Sequence, residues 1–310
     1  MATNTATFGT YPYLWPHALV LRHQRLPVSI APLKLKARIA PLLLLVPATW
    51  LCAPSAEAQW GGRSWHRRAP KFAAAEDLAA GAFTFCRLYY NSVRSEALGH
   101  GWNTDYPESD IHFMVRLSQL TQVEVNEYDD GEPNHVVVRP TDDEIYGCPF
   151  IFMSDVGTVG FSGPEVESLR TYLLSGGFLY VDDFWGERAW NHWSREIGKV
   201  LPPAEFPIVD VPLEHELFRG LYLIREIPQV PSIQHWRWTG ETSERGWESE
   251  EPHVRGIFDE SGRLMVVMTH NTDIADGWER EGEDEEFFAR FSATKAYPMG
   301  INIVLYAMTH

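Results

Sequence analysis

The fold is decided by a stretch near the middle of the chain that reads Ser175-Gly176-Gly177-Phe178-Leu179-Tyr180-Val181-Asp182-Asp183-Phe184-Trp185-Gly186. Its two glycines favour the left-handed backbone that closes a helix. Residues 178–181 form a short apolar run, which is typical of a strand buried on both faces. Asp182 and Asp183 then end the strand, and open α/β sheets bind ligands outside the carboxyl ends of their strands. The stretch therefore predicts a strand that ends at a ligand crevice.

The residues around this stretch predict a mostly parallel sheet. Residues 150–153 form a second apolar run, and residues 162–165 have the capping pattern of a helix that ends at the two glycines. The short joints of this strand–helix–strand unit imply a parallel pair with a right-handed crossover. Residues 254–258 and 264–269 flank a turn and predict a hairpin. We therefore expect an α/β fold whose mostly parallel sheet is flanked by helices.

Length and charge limit the domain organisation and the kind of partner. The chain has 310 residues, of which 45% are hydrophobic, and its formal net charge is −16. We find no linker after residue 80, so we predict a single domain at 80–310 behind a flexible lead-in at 59–79. A diffuse acidic charge argues against a nucleic acid or an anionic membrane surface as the partner.

Residues 1–58 are interpreted as a signal peptide. Basic residues precede an apolar run at 39–51, and an A-x-A cleavage pattern ends at Ala58. The segment is longer than most signals, which predicts that the true start of translation lies downstream, near Val28 or Leu33. The apolar run is shorter than the roughly 20 residues that a spanning helix needs. We therefore expect a periplasmic or secreted mature chain without a membrane span.

Cys86 and Cys148 remain in the predicted mature chain. An exported protein tolerates a disulfide, whereas cysteines in apolar strand contexts are as often buried free thiols. The sequence leaves open whether the two residues pair.

Three predicted strands end in polar residues, and these ends are the candidate site. They are Ser154-Asp155, Asp182-Asp183 and Thr269-His270-Asn271. Because the carboxyl ends of parallel strands meet at one edge of a sheet, we expect these side chains to lie together. The catalytic candidates, as a general acid/base group, are Asp182, Asp183 and His270. The ligand-binding candidates are Asp155, Asp183, Trp185, Asn271, Asp273 and Trp278. The alternative interpretation is that these residues cap helices and turns, as Asp and Asn commonly do.

Motifs for a metal, a cofactor or a nucleophile are missing from the sequence. There is no H-x-x-x-H or C-x-x-C spacing, so we expect neither a bound metal nor a cofactor. Neither cysteine lies in a nucleophile elbow, and Ser154 and Ser175 lack the G-x-S-x-G frame. The sequence therefore leaves open whether the protein is an enzyme.

Several motifs, in order along the chain, resemble the bacterial domain of unknown function numbered 4159. They are Arg87-Leu88-Tyr89-Tyr90, Trp102-Asn103-Thr104-Asp105-Tyr106-Pro107, residues 113–121, Gly176-Gly177-Phe178-Leu179-Tyr180-Val181-Asp182-Asp183-Phe184, His270-Asn271-Thr272-Asp273 and residues 300–309. The resemblance covers residues 80–310 and implies a fold similar to class I glutamine amidotransferases, or flavodoxin-like, in an exported or membrane-tethered envelope protein. It supplies no catalytic residues, and the cysteine elbow that amidotransferases need is missing here.

Two functional hypotheses follow from these observations. The first is a non-catalytic amidotransferase-like domain of the cell envelope that binds an envelope protein, a small molecule or a carbohydrate. The alternative is a hydrolase of envelope carbohydrate or peptide that uses Asp182, Asp183 and His270. The hydrolase requires the carboxylates to lie within hydrogen-bond reach of His270 around an open cleft.

Overall fold

The computed structural model describes residues 69–78, 81–97, 99–129 and 131–310. The predicted signal peptide and most of the predicted lead-in lie outside the described residues. The strands of the described chain are β1 (Phe85–Leu88), β2 (His135–Val138), β3 (Phe150–Ser154), β4 (Phe178–Asp182), β5 (Ile208–Asp210), β6 (His253–Phe258) and β7 (Leu264–His270). They form one seven-stranded sheet in the order β2-β1-β3-β4-β7-β6-β5.

The sheet is mostly parallel, as the sequence predicts. β2, β1, β3, β4 and β7 pair in parallel, whereas β6 runs antiparallel to both β7 and β5. The predicted parallel pair of β3 and β4 is confirmed, with Phe150 opposite Phe178 and Ser154 opposite Asp182. The predicted hairpin is β6 and β7. The finer likeness to amidotransferases or flavodoxins stays a prediction.

Helices cover both faces of the sheet. They are α1 (Glu108–Leu120), α2 (Gly163–Leu174), α3 (Gly186–Val200), α4 (Ile233–Thr239), α5 (Asp276–Glu279), α6 (Glu285–Phe287) and α7 (Tyr297–Thr309), with a π-helix (Phe288–Ala296) before α7. Leu169 of α2 and Trp193 of α3 belong to one buried cluster, on the face that carries Val181. Phe113 of α1 belongs to a second cluster on the face that carries Tyr180. The fold is therefore an α/β sheet between two helical layers.

The sequence also predicts a helix that begins after a cap at Ser109 and a short strand at residues 123–125, and both of these local predictions are wrong. α1 begins at Glu108 and not after a cap at Ser109, because the Ser109 hydroxyl accepts a hydrogen bond from the buried Arg87 at 2.8 Å. Residues 123–125 were expected to form a strand, but Val125 makes only an isolated bridge to Phe83. Single bridges lie outside the sheet, so the predicted strand does not extend it.

Cys86 and Cys148 form a disulfide. The bond joins β1 to the residue that lies two positions before β3, its neighbour in the sheet. This settles the question that the sequence leaves open. Within the described ranges, none of the helices combines the length and the hydropathy that crossing a bilayer requires.

Candidate functional site

A cavity of about 260 Å³ opens at the carboxyl edge of the sheet. Eight carboxyl side chains line it: Glu96, Asp105, Asp155, Asp183, Glu244, Asp273, Asp276 and Glu279. The lining also includes the guanidinium groups of Arg245 and Arg280 and the indole of Trp185. We call this space the carboxylate cavity. Its lining is dominated by carboxyl groups, which limits the chemistry of any ligand that enters.

The backbone turns sharply where it leaves the strands to form this cavity. Among the described residues other than glycine, the left-handed conformation occurs at Asp105 (φ 63°), Asp155 (φ 51°), Asp183 (φ 53°) and Asn271 (φ 61°). The last three directly follow β3, β4 and β7. Asp and Asn tolerate this conformation better than other residues with side chains, at a cost of about 1–3 kcal/mol each. The three aspartates all line the carboxylate cavity, so this cost is concentrated at the site.

Asp155 is held in the cavity wall by a close approach of the loop before α1. The backbone N–H of Gly101 donates to Oδ2 of Asp155 at 2.8 Å. A Cβ at Gly99 would lie 2.3 Å from the same oxygen, so any larger residue there would displace the Asp155 carboxylate. The buried Tyr90 hydroxyl lies 2.7 Å from the carbonyl oxygens of Ser154 and Asp155, to which it donates. These contacts fix the turn after β3.

Asp183 and Trp185 form the next part of the wall. The indole N–H of Trp185 donates to Oδ1 of Asp183 at 3.0 Å, and Trp185 is only 5% exposed. The second oxygen of Asp183 has no hydrogen-bond donor among the described residues. Asp183 therefore presents an acceptor to the cavity beside an aromatic surface.

The residues around α5 bring three more carboxyl groups to the same space. The backbone N–H of Asp276, the first residue of α5, donates to Oδ1 of Asp273 at 2.8 Å. The backbone N–H of Ile233 donates to Oδ2 of Asp276 at 2.9 Å. Arg280 forms ion pairs with Asp276 at 3.4 Å and with Glu279 at 2.8 Å. Backbone N–H groups and the Arg280 guanidinium thus orient these three carboxyl groups, but Arg280 forms no ion pair with Asp273.

One cluster of oxygen atoms is compact enough to contact a single cation. A carboxylate oxygen from each of Asp105, Asp273 and Asp276 lies within 4.8 Å of the other two. Oxygen donors of this kind suit hard cations such as Ca²⁺ or Mg²⁺, and they also suit ammonium and guanidinium groups. Because Asp105 is far from the other two in sequence, no motif spacing reveals the cluster.

Burial raises the pKa of every carboxyl group at the centre of the cavity, because a buried negative charge loses its hydration. The pKa rises to about 6 for Asp105, about 7 for Asp155, about 8 for Asp276 and about 9 for Glu279. For Asp183 and Asp273 burial raises the pKa well above its ordinary value, and repulsion by neighbouring carboxylates adds to it. At neutral pH Asp276 and Glu279 therefore retain their protons, and Asp155 retains its proton in part, unless a positive charge enters the cavity beside them.

Four of the lining aspartates have no ion pair within the described part of the chain. Ion pairs join Arg94 to Glu96, Arg245 to Glu244, and Arg280 to both Asp276 and Glu279. The aspartates without such a partner are Asp105, Asp155, Asp183 and Asp273. When these aspartates are ionised, their charge therefore has no ion-pair partner within the described part of the chain.

Arg87 positions the loop that carries Asp105. Its guanidinium group is fully buried and donates to the carboxylate of Asp110, with Nε at 3.0 Å from Oδ2. It also donates to the carbonyl oxygen of Thr104 at 2.9 Å. Since Thr104 directly precedes Asp105, these bonds link β1 to the loop at the cavity. Arg87 does not line the cavity and acts through the residues that it holds.

Four of the residues predicted for the site line the cavity, namely Asp155, Asp183, Trp185 and Asp273. Asp182 and Asn271 lie outside the lining. Both oxygens of Asp182 are occupied, by the Thr269 hydroxyl at 2.5 Å and the backbone N–H of Ala275 at 2.8 Å. The side chain of Asn271 accepts from the backbone N–H of Gly186 and donates to the carbonyl of Glu251, both at 2.8 Å. The capping interpretation therefore describes these two residues.

His270 lies on the opposite face of the sheet from Asp182. Successive residues of a strand alternate between faces, and Asp182 is bonded to Thr269, the residue before His270. The imidazole ring packs against Phe184 and Trp190, with ring centroids at 4.8 and 5.3 Å. Burial lowers the pKa of His270 to about 3, so the ring is neutral. The structure thus separates the imidazole from Asp182, and His270 does not line the cavity that Asp183 lines.

Trp278 packs in the core and does not line the cavity. It is 1% exposed, and its ring centroid lies 4.5 Å from that of Phe113. A Cβ added to Gly300 would lie 2.3 Å from the indole, so α7 approaches the ring closely. This aromatic residue belongs to the helix packing on the Tyr180 face.

Several lining residues were not selected from the sequence. Asp105 had one available signal, since it lies in a loop long enough to be functional. Asp276 and Glu279 follow Asp273 at intervals of three residues, which places them on one side of a helical turn. Glu96 and Glu244 gave no signal, because only the folded chain brings their loops to the sheet edge.

Comparison with known proteins identifies a family but no activity. The family model described as Domain of unknown function (DUF4159) matches residues 84–308. A comparison with curated proteins gives no match. The matched range contains β1 to β7 and all eight carboxyl groups of the cavity. The match therefore covers the whole sheet and the cavity.

Proposed function

We propose that this chain, which belongs to the family described as Domain of unknown function (DUF4159), is a binding domain for a positively charged ligand. The ligand enters the carboxylate cavity at the edge of the sheet. The observation that carries the proposal is the set of four aspartates around the cavity that have no ion pair among the described residues, Asp105, Asp155, Asp183 and Asp273.

The proposed binding exchanges protons for a cation. Buried carboxylates that repel one another either keep protons or accept a positive charge nearby. A cation that enters the cavity favours the ionised forms and releases the protons that Asp155, Asp276 and Glu279 hold near neutral pH. Affinity should therefore rise as the pH rises from 6 to 8. Trp185 adds an aromatic wall that suits an organic cation.

The contacts favour binding over hydrolysis. Asp182 is fully hydrogen-bonded, and His270 lies on the opposite face, so the two do not form an acid/base pair around the cavity. Cys86 and Cys148 are joined to each other and cannot supply a thiolate nucleophile. The alternative of a hydrolase that uses Asp182, Asp183 and His270 gains no support from this geometry.

We also propose that the domain works outside the cytoplasm, in the periplasm or in the secreted fraction. The disulfide supports this location, because such bonds persist in oxidising compartments and are rare in reducing ones. In that setting the cation is a small molecule or a group on another envelope protein.

Calorimetric titration tests the proposed binding. The protein is titrated at pH 6 and pH 8 with CaCl₂, MgCl₂, spermidine and L-argininamide, each in two buffers that differ in ionisation enthalpy. We expect at least one cation to bind, with proton release that is visible as a buffer-dependent heat, and with higher affinity at pH 8. The proposal fails if none of the four cations binds at either pH.

A pair of variants links binding to the cavity. Asp183→Asn keeps a residue that tolerates φ 53° and keeps an acceptor for the Trp185 indole, but it removes one negative charge. We expect affinity to fall about tenfold, as for a lost charge-assisted contact. The matched control is Glu260→Gln, an exposed carboxylate in the turn between β6 and β7, at the opposite end of the sheet. It should leave the affinity unchanged.

A further inference from the structure

We propose that the cation is a basic side chain of a partner protein, and that residues 232–251 form the surface on which this partner docks. We call residues 232–251 the rim segment. This inference rests on the proposed function, because the arginine or lysine of the partner is the positive group that enters the carboxylate cavity. It adds a partner class and a surface outside the cavity.

The rim segment borders the cavity directly. Ser232, Gln234, Glu244 and Arg245 all line the carboxylate cavity. Farther along, Oε2 of Glu248 lies 3.2 Å from the position that a Cβ on Gly186 would take. Gly186 follows Trp185 in the cavity wall. A partner that rests on this segment therefore lies beside the opening.

Two tryptophans of the rim segment are largely exposed. Trp238, in α4, is 74% exposed, and Trp247 is 76% exposed. Tryptophan is enriched at the energetic centres of protein interfaces, because a large rigid ring gains contact area at little cost in conformational entropy. Single exposed apolar residues are ordinary on protein surfaces, but two tryptophans on one segment beside a cavity indicate a contact surface.

The charge of the rim segment selects a basic partner. Glu241, Glu248, Glu250 and Glu251 are exposed, and none of them forms an ion pair within the described chain. The two arginines of the segment are already engaged. Arg237 pairs with Glu283 and Asp284, and Arg245 pairs with Glu244. Lysine and arginine complement such glutamates and also stack on indole rings through cation–π attraction.

The rim segment is organised before any partner arrives. The Gln229 side-chain amide donates to the carbonyl of Ser249 at 2.8 Å, and the backbone N–H of Arg245 donates to the Ser249 hydroxyl at 2.8 Å. The backbone N–H of Ser232 donates to Glu244 at 2.8 Å. A surface that is already ordered loses less conformational entropy on binding. The bonds also couple the segment to the cavity, since Glu244 belongs to both.

A free metal ion or a small amine would use the cavity and leave the tryptophans without a role. A nucleic acid is disfavoured by the negative charge of both surfaces. A protein segment with arginine or lysine is the partner class that has complementary groups for all three features, namely the cavity, the glutamates and the indole rings. This is the reason for choosing a protein partner over a small cation.

The test compares peptides by fluorescence anisotropy and calorimetry at pH 7.5. One labelled peptide alternates arginine with glycine, and its control carries citrulline, the neutral isostere, in place of arginine. We expect the arginine peptide to bind at least about tenfold more tightly than L-argininamide, and the citrulline peptide not to bind. The double variant Trp238→Ala/Trp247→Ala should weaken the peptide about tenfold and leave L-argininamide unaffected. Both tryptophans are exposed, so the variant should fold.

A matched control replaces Leu221 and Leu223, which are 51% and 60% exposed and lie outside the rim segment and the cavity lining. Leu221→Ala/Leu223→Ala should leave peptide binding unchanged. If L-argininamide or Ca²⁺ binds but the peptide binds no better and ignores the tryptophan variant, the docking surface is refuted while the proposed function stands. If neither the peptide nor any small cation binds, both are refuted.

Discussion

Replacing Asp155 by asparagine should make the protein more stable at neutral and alkaline pH. The side chain is 2% exposed, and burial raises its pKa from 3.8 to about 7. The folded state therefore binds a proton more tightly than the unfolded state, and stability is lost as the pH rises from about 4 to 7. Asparagine tolerates φ 51° and still accepts from the backbone N–H of Gly101. The variant removes the charge and keeps the turn.

The magnitude follows from the pKa. A rise of about three units, at about 1.4 kcal/mol per unit, gives a cost of about 4 kcal/mol once Asp155 is fully ionised, above pH 7. Part of this cost is already present at pH 5, since the unfolded carboxyl group is ionised there. Between pH 5 and pH 8 we therefore expect the wild type to lose about 2–3 kcal/mol relative to Asp155→Asn.

Urea unfolding at pH 5, 6.5 and 8, followed by tryptophan fluorescence, measures this difference. The other carboxyl groups of the cavity act in both proteins, so the wild type is read against the variant at each pH. A difference of 2–3 kcal/mol corresponds to about 4–12 °C in Tm for a domain of this size. If the two free energies of unfolding change in parallel from pH 5 to pH 8, the assigned cost of the buried carboxylate is refuted. Saturation with a cation that binds should reduce the difference, because the ionised form then has a partner.

Three further predictions concern residues away from the cavity lining. Arg87→Met should cost about 3–5 kcal/mol in urea unfolding, because it leaves Asp110 buried and unpaired, and Arg87→Met/Asp110→Leu should recover part of this loss. Burial lowers the pKa of His270 from 6.5 to about 3, so the stability that depends on this group falls as the pH drops from 6.5 towards 3. The loss should be about 3 kcal/mol at pH 4. His270→Gln should abolish this acid sensitivity when urea unfolding is repeated at low pH. Cys86→Ala/Cys148→Ala should lower the free energy of unfolding by about 4 kcal/mol, given the sequence separation of 62 residues, and an unchanged value would contradict the bond.

The sequence was most informative where local chemistry determines the structure. The glycines at 176–177 and the apolar run after them predicted a helix end and a buried strand. The structure has both, with Gly176 at φ 109° and β4 at Phe178–Asp182. Asp155, Asp183 and Asp273 could be selected because they directly follow strands or lie close behind one. The apolar run next to a residue is enough to predict that the residue lies at the end of a strand.

The sequence could not predict the contacts that depend on the pairing of residues far apart in the chain. Whether His270 or Thr269 meets Asp182 depends on the register that sets Val181 opposite Met268, and this is a property of two distant strands. Asp105 reaches the cavity because Arg87 holds its loop through buried hydrogen bonds. Residues 239–252 are polar in sequence, which favours an exposed loop, yet Glu244 and Arg245 line the cavity. The polar composition of a loop does not tell whether the loop is exposed to solvent or lines a cavity.

The left-handed turns also have a consequence for how relatives of this chain vary. At Asp105, Asp155, Asp183 and Asn271 the backbone restricts the residue to Asp, Asn or Gly, whatever its side chain does. The first three positions also supply carboxyl groups to the cavity. Among residues that tolerate the left-handed backbone, only Asp carries such a group. At Asn271 the same backbone conformation is held by an uncharged residue, whose side chain makes hydrogen bonds to Gly186 and Glu251. On the proposed cation binding, we predict that a relative without it carries Asn or Gly at the first three positions and keeps its fold, so that the residues at these turns distinguish relatives with the proposed binding from relatives that share only the fold.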